Sequence, residues 1–239
     1  MSRMPWPKTV SWLSGLTIGL VLLSLAAVAL LVVRMDRVGE PAFTFLTWNL
    51  LLAWIPFLLA LGVAAVHGRG GPGPLLWPLG LGWLLFLPNA PYILTDFIHL
   101  GRVGGAPLWF DAALIGAFAA AGLLLGLASL LVVHHVVEAR AGRVVGWAVA
   151  VGSLVLSAIG IYLGRFPRFN SWDVVTDPHS LVSVVVQRLA DPLGNPFLLR
   201  FGVLMSVLLV GSYLVAWIVG RGLVGPVAGR DQAVTRPGR

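Results

Sequence analysis

Six charge-free windows dominate this chain: residues 9–33, 41–66, 70–95, 112–133, 144–164 and 201–220, of 25, 26, 26, 22, 21 and 20 residues. Crossing a hydrocarbon core takes roughly 20 apolar residues in a helix, and all six windows reach that length. A closed barrel is the other spanning structure, but it is built from short alternating strands rather than long continuous apolar runs. The expected fold is therefore all-α, a polytopic membrane protein with six transmembrane helices at about 10–33, 46–66, 75–94, 110–133, 144–163 and 198–220. The first window follows Arg3 and Lys8 as a signal peptide would, yet its apolar run exceeds an h-region of about 7–15 residues. It reads as a retained span. Residues 1–220 form one helical domain, and 221–239 read as a basic, disordered tail rich in Arg, Gly and Pro.

Composition narrows the function classes. The 239 residues hold 16 basic and 9 acidic side chains and no cysteine, which excludes disulfides, thiolate metal sites and cysteine nucleophiles. The net charge of +7 does not point to nucleic acid, because the basic residues are scattered without an interleaved aromatic platform. The bilayer, including anionic lipid headgroups, is the expected partner. Protein partners and cofactors are left unassigned. With six spans, Arg3, Lys8, Arg69, Arg140, Arg143, Arg221, Arg230, Arg236 and Arg239 fall on the face of the termini. Arg34, Arg37, Arg102, Arg165, Arg168, Arg188 and Arg200 fall on the other. The positive-inside rule then favours cytoplasmic termini in a bacterial inner (plasma) membrane.

Against this apolar background one segment stands out. LFLPNAPYILTDFIHL at 85–100 begins as hydrocarbon and ends with Asn89, Tyr92, Thr95, Asp96 and His99. Each such group costs free energy in lipid unless it finds a partner. Pro88 and Pro91 are expected to end or kink the third helix near Leu87 and to start a short helix over about 91–100. At 100° per residue, Tyr92, Asp96 and His99 would share a stripe about 60° wide, bordered by Thr95. Loop five supplies GRFPRFNSWD at 164–173, with Arg165, Arg168, Asn170, Ser171 and Asp173 beside Phe166, Phe169 and Trp172. Asp177-Pro178 and Asn195-Pro196 each read as an N-cap followed by a first helical residue, the former opening a short interfacial helix in loop five. Both loops and Asn49, near the start of the second span, lie on the same side of the membrane.

Trp48-Asn49 with LLLAWIPF, then LFLPNAPYILTDFIHL, Phe110-Asp111 and IYLGRFPRFNSWD at 161–173 resemble a bacterial integral-membrane family catalogued as domain-of-unknown-function 1361. The resemblance covers roughly residues 45–220 and rests on the PNAPYILTD and NSWD words. Phe110 stands where a tyrosine is expected, so position 110 offers no hydroxyl. Membership implies a polytopic membrane protein and carries no activity with it.

Three functional readings follow from the residues. In the first, Arg165 and Arg168, with Arg102, grip an anionic amphiphile or lipid headgroup, while Asn49, Asn89, Tyr92, Asp96 and His99 orient it. In the second, a membrane-embedded hydrolase or transferase uses Asp96 and His99 as an acid/base pair, with Thr95 or Ser171 as the nearest hydroxyls; no nucleophile elbow surrounds Ser171. The third is a structural or partner-binding subunit, its loop arginines paired with Asp96, Asp111 and Asp173. No metal site is assigned; Asp96, His99 and Asp173, joined by Asp111, are the residues an ion would use. His134 and His135, with Glu138, read as a solvated helix end on the opposite face. The GxxxG pairs Gly122/Gly126 and Gly160/Gly164 read as close helix packing.

Overall fold

The computed structural model describes residues 6–190 and 196–224, and these form nine α-helices and one 3₁₀ segment. They are α1 (Trp6–Val38), α2 (Phe45–Gly68), α3 (Gly73–Phe86), α4 (Asn89–Tyr92), the 3₁₀ segment Ile93–His99, α5 (Leu108–Ala141), α6 (Arg143–Arg165), α7 (Asp173–Thr176), α8 (Pro178–Ala190) and α9 (Pro196–Val224). Among the described residues, six helical stretches are long and apolar enough to cross a membrane, and no strand occurs. The fold is an all-α polytopic membrane protein. The outer surface carries what a soluble protein would bury, with Leu22, Leu58, Trp77, Leu81, Leu204 and Val207 all more than half exposed.

The helices overrun their apolar windows because a charge does not end a helix, whereas glycine does. α1 continues past Arg34 and stops at Gly39 (φ 74°), and α5 continues past Glu138 to Gly142 (φ 89°). Both glycines have positive φ, which glycine adopts without a Cβ penalty. α8 opens as its sequence directs, with the Asp177 carboxylate accepting the Ser180 amide at 3.2 Å. Residue Asn195 lies outside the described residues, as does the tail beyond Val224; α9 itself runs through residues 221–224.

α5 is the axis of the bundle. Two thirds of its most apolar window is buried, 67%, against 22% for α1 and 11% for α9, so these last two helices sit at the periphery. α5 packs on α1, α2 and α6, while α9 packs mainly on α6.

The third crossing is broken. α3 has only 14 residues, too short for a hydrocarbon core of about 30 Å at 1.5 Å per residue. α4 and the 3₁₀ segment complete the stretch Gly73–His99. Part of the polar segment expected in loop three, through His99, thus completes the third crossing. Irregular backbone within a span is tolerated only where protein covers it or a cavity adjoins it, and here both conditions hold. α4 is wedged between two glycine faces. A Cβ at Gly122 would meet the Ala90 carbonyl oxygen at 2.5 Å, and one at Gly126 would meet the Ala90 side chain at 3.1 Å. On the other flank a Cβ at Gly160 would meet Pro88 at 2.7 Å, and one at Gly164 the Tyr92 ring at 3.2 Å. The two GxxxG pairs therefore receive the PNAPY wedge.

A steric test follows. Gly122→Ala should lower the thermal midpoint of the purified protein, since overpacking against backbone costs about 1–3 kcal/mol. Gly152→Ala, with nothing within 4 Å of its Cβ, should leave the midpoint unchanged or raise it. Equal behaviour of the two variants would remove the wedge argument.

Candidate functional site

The 3₁₀ geometry rearranges the expected polar stripe. With three residues per turn, residues three apart eclipse one another. Tyr92 and Thr95 form one row, and Ile93, Asp96 and His99 another. Ile93 is fully buried, and Asp96 in the same row is 1% exposed. The single face of Tyr92, Asp96 and His99 expected from α-helical spacing is replaced by these two rows.

A buried carboxylate must be neutralised, and Asp96 is. Arg165, the last residue of α6, bonds Asp96 Oδ1 through Nη2, and its Nε donates to Thr95 Oγ1 at 2.8 Å. Its guanidinium carbon lies 4.6 Å from the centre of the Tyr92 ring. The Asn49 amide donates to Asp96 Oδ2 at 2.9 Å, and Thr95 Oγ1 donates to the Tyr92 carbonyl at 2.6 Å. One arginine thereby joins α6 to both rows of the broken helix, and Asn49 adds α2. The cation also sits where the C-terminal end of a helix favours it.

The other predicted residues are dispersed. His99 makes a ring contact with Phe45, centroids 4.9 Å apart, and takes no place in the Asp96 hydrogen bonds. Asp173, expected to meet an arginine or His99, turns back on its own loop and accepts the Asn170 amide at 2.6 Å. Arg168 is exposed at φ 67° and makes no ion pair among the described residues, whereas Arg165 is paired with Asp96. Among the described residues no three His, Asp or Glu side chains gather closely enough to hold an ion, so Asp96, His99 and Asp173 do not make a joint donor set. Asp111 is occupied elsewhere. Its Oδ1 accepts Arg34 Nε at 2.7 Å and its Oδ2 accepts Nη2 at 3.3 Å, both side chains being buried. Arg34 also donates to the Gly104 carbonyl at 3.3 Å and lies 4.7 Å over the Phe43 ring. In sequence, Arg34 reads only as a loop charge. The available signal was an arginine directly after 25 charge-free residues. His134, expected at a solvated helix end, is 2% exposed and bonds the Tyr213 hydroxyl through Nδ1 at 2.5 Å, while His135 is exposed. The cause is the length of α5, which carries His134 alongside Trp147 of α6 and Tyr213 of α9.

A cavity lies between α3 and α6. It is a groove of about 650 Å³ whose apolar flank is Leu81, Leu84 and Leu85 of α3 and Leu52 of α2. The wedge residues Pro88, Asn89 and Tyr92 form one end, with Asn49 of α2 beside them. Gly160 and Gly164 of α6, the loop residues Phe169, Asn170, Ser171 and Trp172, and Val174 of α7 close the other side. The loop is pinned to the wedge by Asn89, whose amide donates to Ser171 Oγ at 2.8 Å and to the Phe86 carbonyl at 3.1 Å. Of the expected site residues, Asn49, Asn89, Tyr92, Asn170 and Ser171 line this groove, whereas Thr95, Asp96, His99, Asp111, Arg165, Arg168 and Asp173 do not. Trp48 and Trp172 also line it, and sequence reading had not singled them out as site residues.

A family model described as a protein of unknown function, DUF1361, matches residues 48–211. The chain belongs to the DUF1361 family. The matched stretch contains the wedge, the Asp96–Arg165 pair and the whole groove, but it begins after α1, so Arg34 lies outside it. No curated protein and no solved structure matches the chain. DUF1361 thus confers a family and no activity, and any function must be read from the groove.

Proposed function

We propose that this DUF1361 protein is a membrane-embedded binding protein whose α3–α6 groove admits an amphiphile from the bilayer. The observation that carries the reading is the groove's polarity gradient. Leucines line the α3 flank, and neutral hydrogen-bonding groups from Asn49, Asn89, Tyr92, Asn170 and Ser171 gather at the wedge and loop. That order matches an acyl tail continuous with a polar head. In the same proposal the groove opens at the extracytoplasmic side of a bacterial inner membrane, since Lys and Arg are more numerous on the face of the termini. A reporter fused to the C-terminus should be active only in the cytoplasm.

The hydrolase or transferase reading finds less support. Asp96 is committed to Arg165 and Asn49, His99 packs on Phe45 away from the groove, and the Ser171 hydroxyl faces an amide rather than a base.

Occupancy of the groove tests the proposal. Val174 lines it and is 43% exposed, so Val174→Trp should fill the mouth without disturbing the core. Native mass spectrometry of the full-length protein should show co-purified lipid on the wild type and at least about a fivefold loss in the variant. Equal lipid content at equal thermal stability would count against the groove.

A further inference from the structure

We infer that the amphiphile carries an uncharged, hydroxyl-rich headgroup, of glycosyl or polyol type, rather than a phosphate. This rests on the reading that an amphiphile occupies the groove. The decisive feature is which hydrogen-bonding atoms the protein leaves unused. Asn89 directs its NH₂ at the Phe86 carbonyl, which only accepts, so the amide orientation is fixed, and both N–H groups are consumed by Phe86 and Ser171. Asn49 directs its NH₂ at the Asp96 carboxylate, also an acceptor, so its orientation is fixed as well. The Oδ1 atoms of Asn49 and Asn89 are therefore carbonyl acceptors, and neither receives a hydrogen bond from the described residues. Both residues line the groove.

Acceptors call for donors. The lining also holds unused donors, the second Asn49 N–H, the Asn170 side-chain amide and the Ser171 and Tyr92 hydroxyls; the oxygens of a phosphodiester could take these donors but would leave the two amide carbonyls facing a negative charge. A hydroxylated ring supplies O–H donors to both carbonyls and can accept from the Ser171 and Tyr92 hydroxyls in return. Charge points the same way, because no Lys, Arg, Asp or Glu among the described residues lines the groove. The adjacent cation, Arg165, is bound to Asp96 and stacked on the Tyr92 ring, which itself lines the groove. Trp48 and Trp172, 55% and 39% exposed, add flat apolar faces suited to the C–H face of a sugar ring.

The test uses the purified full-length protein in detergent. It is titrated by native mass spectrometry with three lipids of identical acyl chains: monoglucosyl diacylglycerol, phosphatidylglycerol and diacylglycerol. Monoglucosyl diacylglycerol should bind at least about tenfold more tightly than either other lipid. Asn89→Leu should bring it to within about threefold of diacylglycerol while leaving diacylglycerol itself unchanged. Should Asn89→Leu not fold, Trp172→Ala, altering a partly exposed ring, should weaken the glycolipid selectively. Phosphatidylglycerol binding as tightly as the glycolipid, or all three lipids binding alike, would overturn the headgroup inference and leave the groove reading standing. No saturable binding of any of them would remove both.

Discussion

Arg34→Met should yield little folded protein. Arg34 and Asp111 are each 1% exposed and bonded through two nitrogens and two oxygens. Removing the cation leaves the carboxylate in the bundle with only the start of α5 to favour its charge. Breaking a buried pair from one side costs about 3–5 kcal/mol, a large part of a stability of about 5–15 kcal/mol. Asp111→Leu alone should be comparably damaging, because it strands the guanidinium. The double variant Arg34→Met/Asp111→Leu should recover much of the loss, since apolar side chains of similar size need no partner there. Expression level and thermal midpoint across the four proteins would decide it. If the losses simply add, the two residues are not acting as a pair.

Arg165→Met should be nearly as severe, for a different reason. This side chain bonds Thr95 and Asp96 and covers Tyr92, so its loss uncouples α6 from the broken third crossing and exposes Asp96 as an unpaired charge. About 3–5 kcal/mol is again the expected scale, reduced in so far as Arg165 keeps 13% of its side chain exposed. Arg165→Lys should rescue poorly, because one ammonium cannot reproduce a planar fork that bonds two side chains while stacking on a ring. Asp96→Asn in the Arg165→Met background should restore stability by removing the charge while keeping a partner for Asn49. A midpoint for Arg165→Lys equal to wild type would show that charge alone, rather than the fork, holds the segment.

The six crossings were legible because hydrophobic length is a one-dimensional property that a sequence displays directly. Both GxxxG pairs were legible as packing faces for a similar reason, yet what packs on them was not. The wedge's fit depends on where a broken helix ends up, and no periodicity encodes that. Asp96 and Arg165 were each marked as polar residues out of place. That loop arginines pair with Asp96 and Asp111 was one of the readings the sequence offered; which arginine meets which carboxylate depended on the fold. Arg34 escaped notice because its partner lies 77 residues away, and a charge at the end of an apolar run resembles a boundary. The groove was half legible, through Asn49, Asn89, Tyr92, Asn170 and Ser171. Its apolar flank was hidden because leucines facing a cavity look in sequence like leucines facing lipid.

The wedge has a genetic consequence. Pro88, although it borders the groove, is pressed against Gly160 of α6, and Ala90 against Gly122 of α5, whereas the polar residues Asn89 and Tyr92 line the groove. Phenotypes should therefore alternate within five consecutive letters. Changes at 88 and 90 would be scored as failures of assembly, with reduced protein. Conservative changes at 89 and 92 would be scored as loss of recognition in protein made at normal levels. A mutational scan that averaged over the PNAPY word would see only an intolerant motif; resolved position by position, it would separate a hinge pin from a keyhole.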